Sequence, residues 1–188
     1  NAGTSLTIPP GQVIKIESTS ASITVNGTLI ARGTEVAPVA ITSFKDDTIG
    51  GDTNGDADVT LPAKGDWYGI VVNSGGTAII EHAIVRYGGY NLSGYTALVR
   101  VNSGGSLTLT NSILEHSKMY GVLVAGVVDQ AILHNTISDC SSHGIYVDNA
   151  SDGVPLSPEI RGNVINNSSY PIYIEDEDGY TGEYRITD

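Results

Sequence analysis

A short apolar motif recurs along most of this sequence, and its regularity constrains the fold more than any other feature. Five segments carry apolar residues at their second and fourth places. They read GIVVN, LVRVN, GVLVA, GIYVD and PIYIE, and they begin at Gly69, Leu98, Gly121, Gly144 and Pro171. The intervals between successive segments are similar in length. Because strand side chains alternate between two faces, the pattern predicts five equivalent strands whose apolar residues share one face.

A second set of segments follows the first and has matching periods. These segments read EHAIVRY, TNSILEH, HNTISDC and GNVINNS, aligned on His82, Asn111, Asn135 and Asn163. Two places later each has an isoleucine, namely Ile84, Ile113, Ile137 and Ile165. A period of about 25 residues is typical of solenoids, in which equivalent residues stack above one another. We therefore expect the isoleucines to fill a core and the asparagines to form an inward ladder at a turn, with His82 at its end.

The N-terminal part follows the same logic, and we expect shorter coils there. Leu6 and Ile8 recur as Ile23 and Val25, at a shorter interval than the one that separates the later segments. The chain has 23 glycines and one methionine, a composition that favours strands and turns over helices. The sequence therefore predicts an all-β fold, a parallel β-helix (β-solenoid) of about seven coils, as a single domain over residues 1–188.

The repeats are interrupted at residues 45–67 by a long acidic loop insertion, KDDTIGGDTNGDADVTLPAKGDW. Its oxygen-bearing side chains at residues 52, 54, 56 and 58 occupy alternate positions, as do the first four ligands of an EF-hand calcium loop. Since Ca²⁺ takes six to eight oxygen ligands, nearby aspartates are expected to complete the set. The predicted calcium ligands are Asp46, Asp47, Asp52, Asn54, Asp56, Asp58 and Asp66.

The match to an EF-hand has two defects, and a solvated loop without metal is the alternative. Ala57 stands where an EF-hand has glycine, and Ala63 stands where it has a bidentate glutamate. Asparagine and glycine are also ordinary turn residues. A second acidic run at residues 175–178 would alternate between the two faces of a strand, and we interpret it as a solvated or partner-facing edge.

Charge and composition restrict the partners. The formal net charge of −12 argues against nucleic acid and anionic membranes. No apolar run approaches the roughly 20 residues of a membrane span. The ten tyrosines could stack on carbohydrate or form an interface, or could simply suit half-exposed strands. The N-glycosylation acceptor pattern occurs at Asn26, Asn91, Asn149, Asn166 and Asn167.

The GIYV and NTIS motifs resemble those of the pectin-lyase-like superfamily of right-handed parallel β-helices. Residues 23–72 resemble modules of large secreted and cell-surface prokaryotic proteins. The resemblance implies a right-handed β-helix at the cell surface or outside the cell, with a structural or adhesive role. It also implies an alternative, a polysaccharide lyase or glycoside hydrolase that acts on acidic polysaccharide.

Catalytic patterns are weak, so we predict a non-catalytic module. A lyase of the resembling kind needs calcium-binding acids beside an outward-facing Arg or Lys. Arg100 is predicted to point outward without a carboxylate neighbour. A second predicted ladder, whose members are expected to pair with one another, consists of Arg86, Glu115, Asp139 and Asn167. The sequence shows no catalytic triad, phosphate loop or zinc spacing.

Both ends of the sequence show strand patterns, at Ser5–Ile8 and at residues 183–186. Because the end coils of a solenoid expose unpaired strand edges, natural solenoids cap them. No amphipathic cap pattern is visible in this sequence. We therefore expect either a fragment of a longer helix or coils that stack end to end into a homo-oligomer or filament.

Overall fold

The computed structural model describes residues 3–90, 95–125, 130–148 and 158–175, and the backbone of Arg185–Thr187. These residues contain nineteen short strands joined by turns. In chain order the strands are β1 (Ser5–Ile8), β2 (Val13–Ile16), β3 (Ser22–Val25), β4 (Thr28–Arg32), β5 (Val39–Ser43), β6 (Gly69–Val72), β7 (Thr77–Glu81), β8 (Ala83–Arg86), β9 (Ala97–Val101), β10 (Ser106–Thr110), β11 (Ile113–Glu115), β12 (Tyr120–Ala125), β13 (Gln130–Leu133), β14 (Thr136–Ser138), β15 (His143–Asp148), β16 (Glu159–Arg161), β17 (Val164–Asn166), β18 (Tyr170–Glu175) and β19 (Arg185–Thr187).

The strands form three parallel sheets, which we call A, B and C. Sheet A has the order β1-β4-β7-β10-β13-β16-β19, sheet B has β17-β14-β11-β8-β5-β2, and sheet C has β18-β15-β12-β9-β6-β3. Each strand pairs with the third strand after it, so the chain visits the three sheets in turn and closes one coil every three strands. The described strands make six complete coils and the first strand of a seventh. The predicted parallel β-helix is confirmed.

The core lies between the three sheets and is made of stacked aliphatic side chains. The first predicted ladder is confirmed, because strand pairing places Ile70 beside Val99, and Val122 beside Ile145. Val72, Val101, Val124 and Val147 form the parallel column, and all four are fully buried. Stacking at the spacing between strands, about 4.8 Å, leaves no room for water between these columns.

The second predicted ladder exists, but its register is wrong by one residue in part of the helix. Strand β11 places Ile113 opposite Thr136 and Leu114 opposite Ile137. Leu114 and Ile137 are buried in the core, whereas Ile113 is 40% exposed. The sequence alignment placed Ile113 and Ile137 in one column. The true partner of Ile113 is Thr136, so the coil is one residue shorter than the alignment assumed. A shift of one residue turns a strand side chain to the opposite face of the sheet, so the core continues through Val85 rather than the predicted Ile84.

The asparagine ladder requires the same correction. Asn135 and Asn163 point inward at the turn before sheet B, and Asn163 accepts hydrogen bonds through Oδ1 from both the backbone N and Nδ2 of Asn135, each at 2.9 Å. Register places Ser112, not Asn111, in this column. Asn111 and His82 instead occupy the preceding turn position, where both have left-handed backbone angles (φ 50° and 45°).

The prediction of shorter N-terminal coils is wrong. Leu6 pairs with Leu29 in sheet A, so the first coil is as long as the later coil that leads from Leu107 to its partner Gln130. The shorter spacing between Leu6 and Ile23 compared strands of two different sheets, because Ile23 belongs to sheet C and pairs with Ile70. The long interval from Ile23 to Ile70 arises because the acidic loop is inserted between β5 and β6.

A second asparagine ladder, which the sequence analysis missed, follows sheet C. Asn102 donates through Nδ2 to Oδ1 of Asn73, and Asn73 donates in the same way to Asn26, both at 2.8 Å. The signal was present, since all three residues directly follow a core valine. No helix in the part of the chain described here has the length and apolarity needed to cross a membrane.

Candidate metal centre

The acidic loop at residues 45–67 leaves the helix after β5, folds over the outer face of β2, and returns before β6. A Cβ added to Gly50 would lie 3.1 Å from the Val13 side chain, so the loop backbone packs directly on this strand. Lys15, also on the outer face of β2, donates from Nζ to the Gly51 carbonyl at 2.5 Å. The loop is therefore a folded element on the first coils.

Two of the predicted calcium ligands, Asp46 and Asp66, lie in ion pairs at the neck of the loop. Asp46 is fully buried, and its two carboxylate oxygens accept a bidentate pair of hydrogen bonds from Arg86 at 2.8 and 2.9 Å. Asp66 pairs with Lys45 at 2.9 Å and accepts a hydrogen bond from the Ser43 hydroxyl. These contacts hold the two ends of the loop against the helix.

The Asp46–Arg86 pair also determines how this neck responds to acid. Burial alone would raise the pKa of Asp46, but hydrogen bonds from Thr42, Thr48 and Arg86 outweigh burial and lower it. A carboxyl with a lowered folded-state pKa stabilises the fold above its unfolded pKa, about 4. That contribution is lost as the pH falls through the lowered value in the folded protein.

Trp67 anchors the point at which the loop re-enters the helix. Its indole is fully buried in the core and donates from Nε1 to the Arg86 carbonyl at 2.9 Å. Gly88 makes room for the ring, since a Cβ at this position would lie 2.9 Å from the indole. Strand β6 starts two residues later, so the insertion leaves the register of sheet C intact.

Three other predicted ligands, Asp47, Asp52 and Asp56, come together in the body of the loop. One carboxylate oxygen from each lies within 4.8 Å of the other two. The structure thus joins residues from separate parts of the loop into a single acidic cluster, which we call the aspartate cluster. Like charges at this distance repel one another, so a positive charge among them would stabilise the arrangement.

Asp52 organises the turn on which the cluster is built. Its carboxylate accepts hydrogen bonds from the backbone amides of Gly55, Asp56 and Ala57, at 2.6, 3.2 and 3.0 Å. These bonds, led by the one from Ala57, lower the pKa of Asp52. Ala57 has a φ of 50°, the left-handed conformation that glycine would adopt without strain. Alanine at the EF-hand glycine position therefore preserves the backbone geometry.

Four oxygen atoms of this loop are buried without a hydrogen-bond partner. Both carboxylate oxygens of Asp47, together with Oδ1 of Asn54 and Oδ1 of Asp56, are inaccessible to solvent and accept no hydrogen bond from the described residues. Buried acceptors are normally satisfied, and an unpaired one is unfavourable, especially when it is charged. The loop therefore places three unsatisfied carboxylate oxygens and one amide oxygen where a cation would satisfy them.

The pKa of Asp47 reflects the same crowding. Burial raises the pKa of Asp47, and the negative charges of Asp52, Asp56 and Asp58 raise it further, against the opposing effect of Lys15. Asp58 itself is exposed to solvent and lies outside the cluster of three. Asn54 donates from Nδ2 to the Thr60 hydroxyl at 3.1 Å, so its amide is held within the loop.

The basic residue beside the cluster is buried. Lys15 lies 3.9 Å from Asp47 Oδ1, and its side chain is only 7% exposed. Its ammonium group donates a hydrogen bond to the Gly51 carbonyl, and the loop covers it. A lyase needs its basic group to reach a substrate in solution, and Lys15 does not meet that requirement.

Arg86 and Arg100, the arginines weighed as catalytic bases in the sequence, both form hydrogen bonds within the protein. Arg86 bridges Asp46 and Glu115, the latter at 3.0 Å, so the predicted pairing of Arg86 with Glu115 is confirmed. Asp139 does not extend this column, because Ser138 stands opposite Glu115. Arg100 points outward, as predicted, and donates to Asn102 and to the Tyr95 carbonyl.

The tyrosines form stacked columns on the outer face of sheet C. The Tyr146 ring lies between those of Tyr120 and Tyr173, with centroids 4.8 and 5.5 Å away and ring planes within 10° of parallel. His143 stacks on Tyr170 beside them, at 5.0 Å. Both faces of Tyr146 are thus covered by protein, and its side chain is nearly buried. A sugar cannot stack on this ring, because the rings of Tyr120 and Tyr173 already cover its two faces.

The single cysteine is a packing residue. Cys140 is buried among the core side chains, and burial raises the pKa of its thiol to about 11. The thiolate, the reactive form, is therefore scarce at neutral pH. Two of the proposed glycosylation acceptors, Asn91 and Asn149, and residues 176–178 of the second acidic run lie outside the described residues.

Comparison with known proteins identifies the family. The family described as the right handed beta helix region matches residues 63–186, about two thirds of the chain. The chain therefore belongs to this family, and the predicted right-handed parallel β-helix is confirmed. No curated protein and no solved structure matches the chain. The aspartate cluster precedes residue 63, so the family match does not extend to it.

Proposed function

We propose that this chain is a non-catalytic structural or adhesive β-helix module of the cell surface or extracellular space, stabilised by a calcium ion in its acidic loop. The aspartate cluster of Asp47, Asp52 and Asp56 binds the ion. The observation that supports this most strongly is the set of buried oxygens without hydrogen-bond partners, on Asp47, Asn54 and Asp56.

The donor atoms favour calcium over other metals. Carboxylate and amide oxygens are hard ligands, which suit Ca²⁺ and Mg²⁺, whereas zinc and copper sites use histidine or cysteine. The ligands are on a loop with glycines at positions 50, 51 and 55. Such a loop suits the adaptable coordination of Ca²⁺ better than the strict octahedron of Mg²⁺. Millimolar calcium outside the cell would also saturate a site of modest affinity.

The structural role follows from the location of the cluster. The loop covers the outer face of β2, and β2 pairs with β5 at the edge of sheet B. An ion in the cluster would fix the loop on the outer face of this strand. The enzymatic alternative, a lyase or hydrolase acting on acidic polysaccharide, lacks an accessible base beside the cluster, because Lys15 is covered.

The proposal includes association between solenoid ends. Among the described strands, β1, β2 and β3 each have a partner on one side only, and Leu6 of β1 is 57% exposed. Unpaired edges of this kind bind further strands readily. Sedimentation of the full chain over a range of concentrations tests this part, since stacking predicts species larger than the monomer.

Thermal unfolding with calcium and with a chelator tests the calcium claim. We expect calcium at about 100 times its Kd to raise the unfolding midpoint of the full chain by about 5–10 °C. The double variant Asp52→Asn/Asp56→Asn should lose this rise. Glu17→Gln, which removes an exposed carboxylate outside the loop, should keep it.

The contradicting outcomes are equally specific. A wild-type midpoint that is identical in calcium and in chelator would show that the loop is a solvated insertion. A calcium effect that persists in the double variant would place the ion elsewhere on the chain.

A further inference from the structure

Lys15 is the one charged side chain of β2, and it is directed at the aspartate cluster from below the loop. Only 7% of its side chain is exposed to solvent. A lysine is rarely buried this deeply unless its charge is compensated. Its hydrogen bond, however, goes to the neutral Gly51 carbonyl, and the nearest carboxylate oxygen, on Asp47, is 3.9 Å away.

The charges of the site explain this position. The three carboxylates of the aspartate cluster and the Lys15 ammonium leave two negative charges in one partly buried volume. A divalent cation brings that sum to zero. Asp47 and Asp56 are partly buried and Asp52 is exposed, so water screens the repulsion only in part and a compensating charge remains favourable. Without lysine the same cluster would carry a third negative charge and would favour a trivalent ion.

We infer that Lys15 is a built-in countercharge that sets the affinity and the charge selectivity of the aspartate cluster for a divalent cation. This inference rests on the proposed calcium site and adds a residue to it. In the metal-free protein Lys15 partly neutralises the cluster and lets the loop fold. When calcium binds, the ammonium repels the ion, so the site releases calcium more readily than three aspartates alone would.

The field of Lys15 acts on more than one member of the cluster. Burial and the charge of Asp52 raise the pKa of Asp47, and the positive charge of Lys15 opposes that rise. Backbone hydrogen bonds, led by the one from Ala57, lower the pKa of Asp52, and Lys15 acts in the same direction. Because Lys15 lies on β2 and the ligands lie on the loop, the residue also couples the ion to the first coil of the helix.

Calcium titration by calorimetry of the metal-free full chain tests the inference. Lys15→Gln removes the charge but keeps a donor for the Gly51 carbonyl, and Lys15→Met keeps only the apolar stem. Both variants should bind calcium about tenfold more tightly than the wild type, since a repelling charge a few ångströms from the ion is gone. They should also bind lanthanum with a still larger gain.

Two control variants keep the measurement specific. Lys15→Arg retains the positive charge and should bind calcium as the wild type does, within about threefold. Lys118→Met removes a lysine whose stem packs on Gly65 of the same loop and should also leave the affinity unchanged. Unfolding midpoints provide a second readout, because the rise produced by calcium should be larger in Lys15→Gln than in the wild type.

The outcomes separate this inference from the proposed function. Calcium binding by the wild type with equal or weaker binding by Lys15→Gln would overturn the role of Lys15 and leave the calcium site standing. Absence of calcium binding by the wild type would overturn both. Binding by the variants alone would also overturn both, and would make Lys15 the permanent counter-ion of the cluster.

Discussion

Asn135 fixes the register between neighbouring coils at the level of a single residue. Its side chain is almost fully buried, accepts from the Ser112 amide at 2.9 Å and donates to the Leu109 carbonyl at 3.0 Å. Asn163 repeats the arrangement one coil later by donating to the Ile132 carbonyl at 2.7 Å. Each asparagine thus satisfies backbone groups that the tight turn would otherwise leave unpaired.

This role predicts a large difference between two asparagines that look equivalent in the sequence. Asn135→Ala should destabilise the protein by about 2–4 kcal/mol, because several buried backbone and side-chain groups lose their partners. Asn111→Ala should cost about 1 kcal/mol or less, the difference between asparagine and alanine in a left-handed turn. Urea unfolding of both variants measures the two values. Equal losses would contradict the register described above.

At the residue scale, sequence reasoning found the three aspartates that come together but also included three that do not, of which Asp58 is exposed to solvent. Asp47, Asp52 and Asp56 lie in the cluster, whereas Asp46 and Asp66 are paired with Arg86 and Lys45. Spacing along the loop cannot distinguish these groups, because the partner of Asp46 lies 40 residues away on another coil.

At the scale of elements, the strand pattern explains both the core and the outer aromatic columns. The second and fourth places of each sheet C strand point inward, and the third place points outward, where Leu123, Tyr146 and Tyr173 follow one another. Tyr146 and Tyr173 occupy equivalent places and stack directly, whereas the other face of Tyr146 is covered by Tyr120, which starts strand β12 three residues before Leu123. Aromatic pairs of this kind add about 0.5–1.5 kcal/mol beyond the area they bury.

The columns predict that position within the stack determines the cost of removing a ring. Tyr146→Ala should destabilise the protein by about 3–4 kcal/mol, since the ring is nearly buried between two others. Tyr173→Ala should cost about 1 kcal/mol, because that ring is 41% exposed. Chemical denaturation of the two variants compares them. A larger loss for Tyr173 would show that the stack is not continuous.

The three sheets differ in how well the sequence pattern predicts their register. The strands of sheet C were predicted correctly because their apolar places repeat without interruption. The strands of sheet B are very short in several coils, so a one-residue error in spacing changed the predicted core face. In the N-terminal coils the strands of all three sheets carry similar apolar residues. The short spacing from Leu6 to Ile23 therefore compared strands of different sheets and did not measure the length of a coil.

At the scale of the whole molecule, burial of the narrow core stabilises the folded state, whereas repulsion within the high negative charge destabilises it. A net charge of −12 on an elongated helix favours solubility and disfavours compactness. Much of the charge in the described coils is neutralised locally, as in the pairs of Arg86 and Lys45 at the loop neck. The aspartate cluster brings three carboxylates within 4.8 Å of one another, and this is where we propose that calcium binds.

A crystal structure of the full chain grown with calcium, with anomalous data to locate the ion, tests the central claim most directly. The account predicts one ion coordinated by oxygens of Asp47, Asp52 and Asp56 at about 2.3–2.6 Å, with the Lys15 ammonium outside the coordination shell. The pairs Asp46–Arg86 and Asp66–Lys45 should be unchanged. An empty cluster at millimolar calcium, or an ion bound by Asp46 or Asp66 instead, would contradict the account.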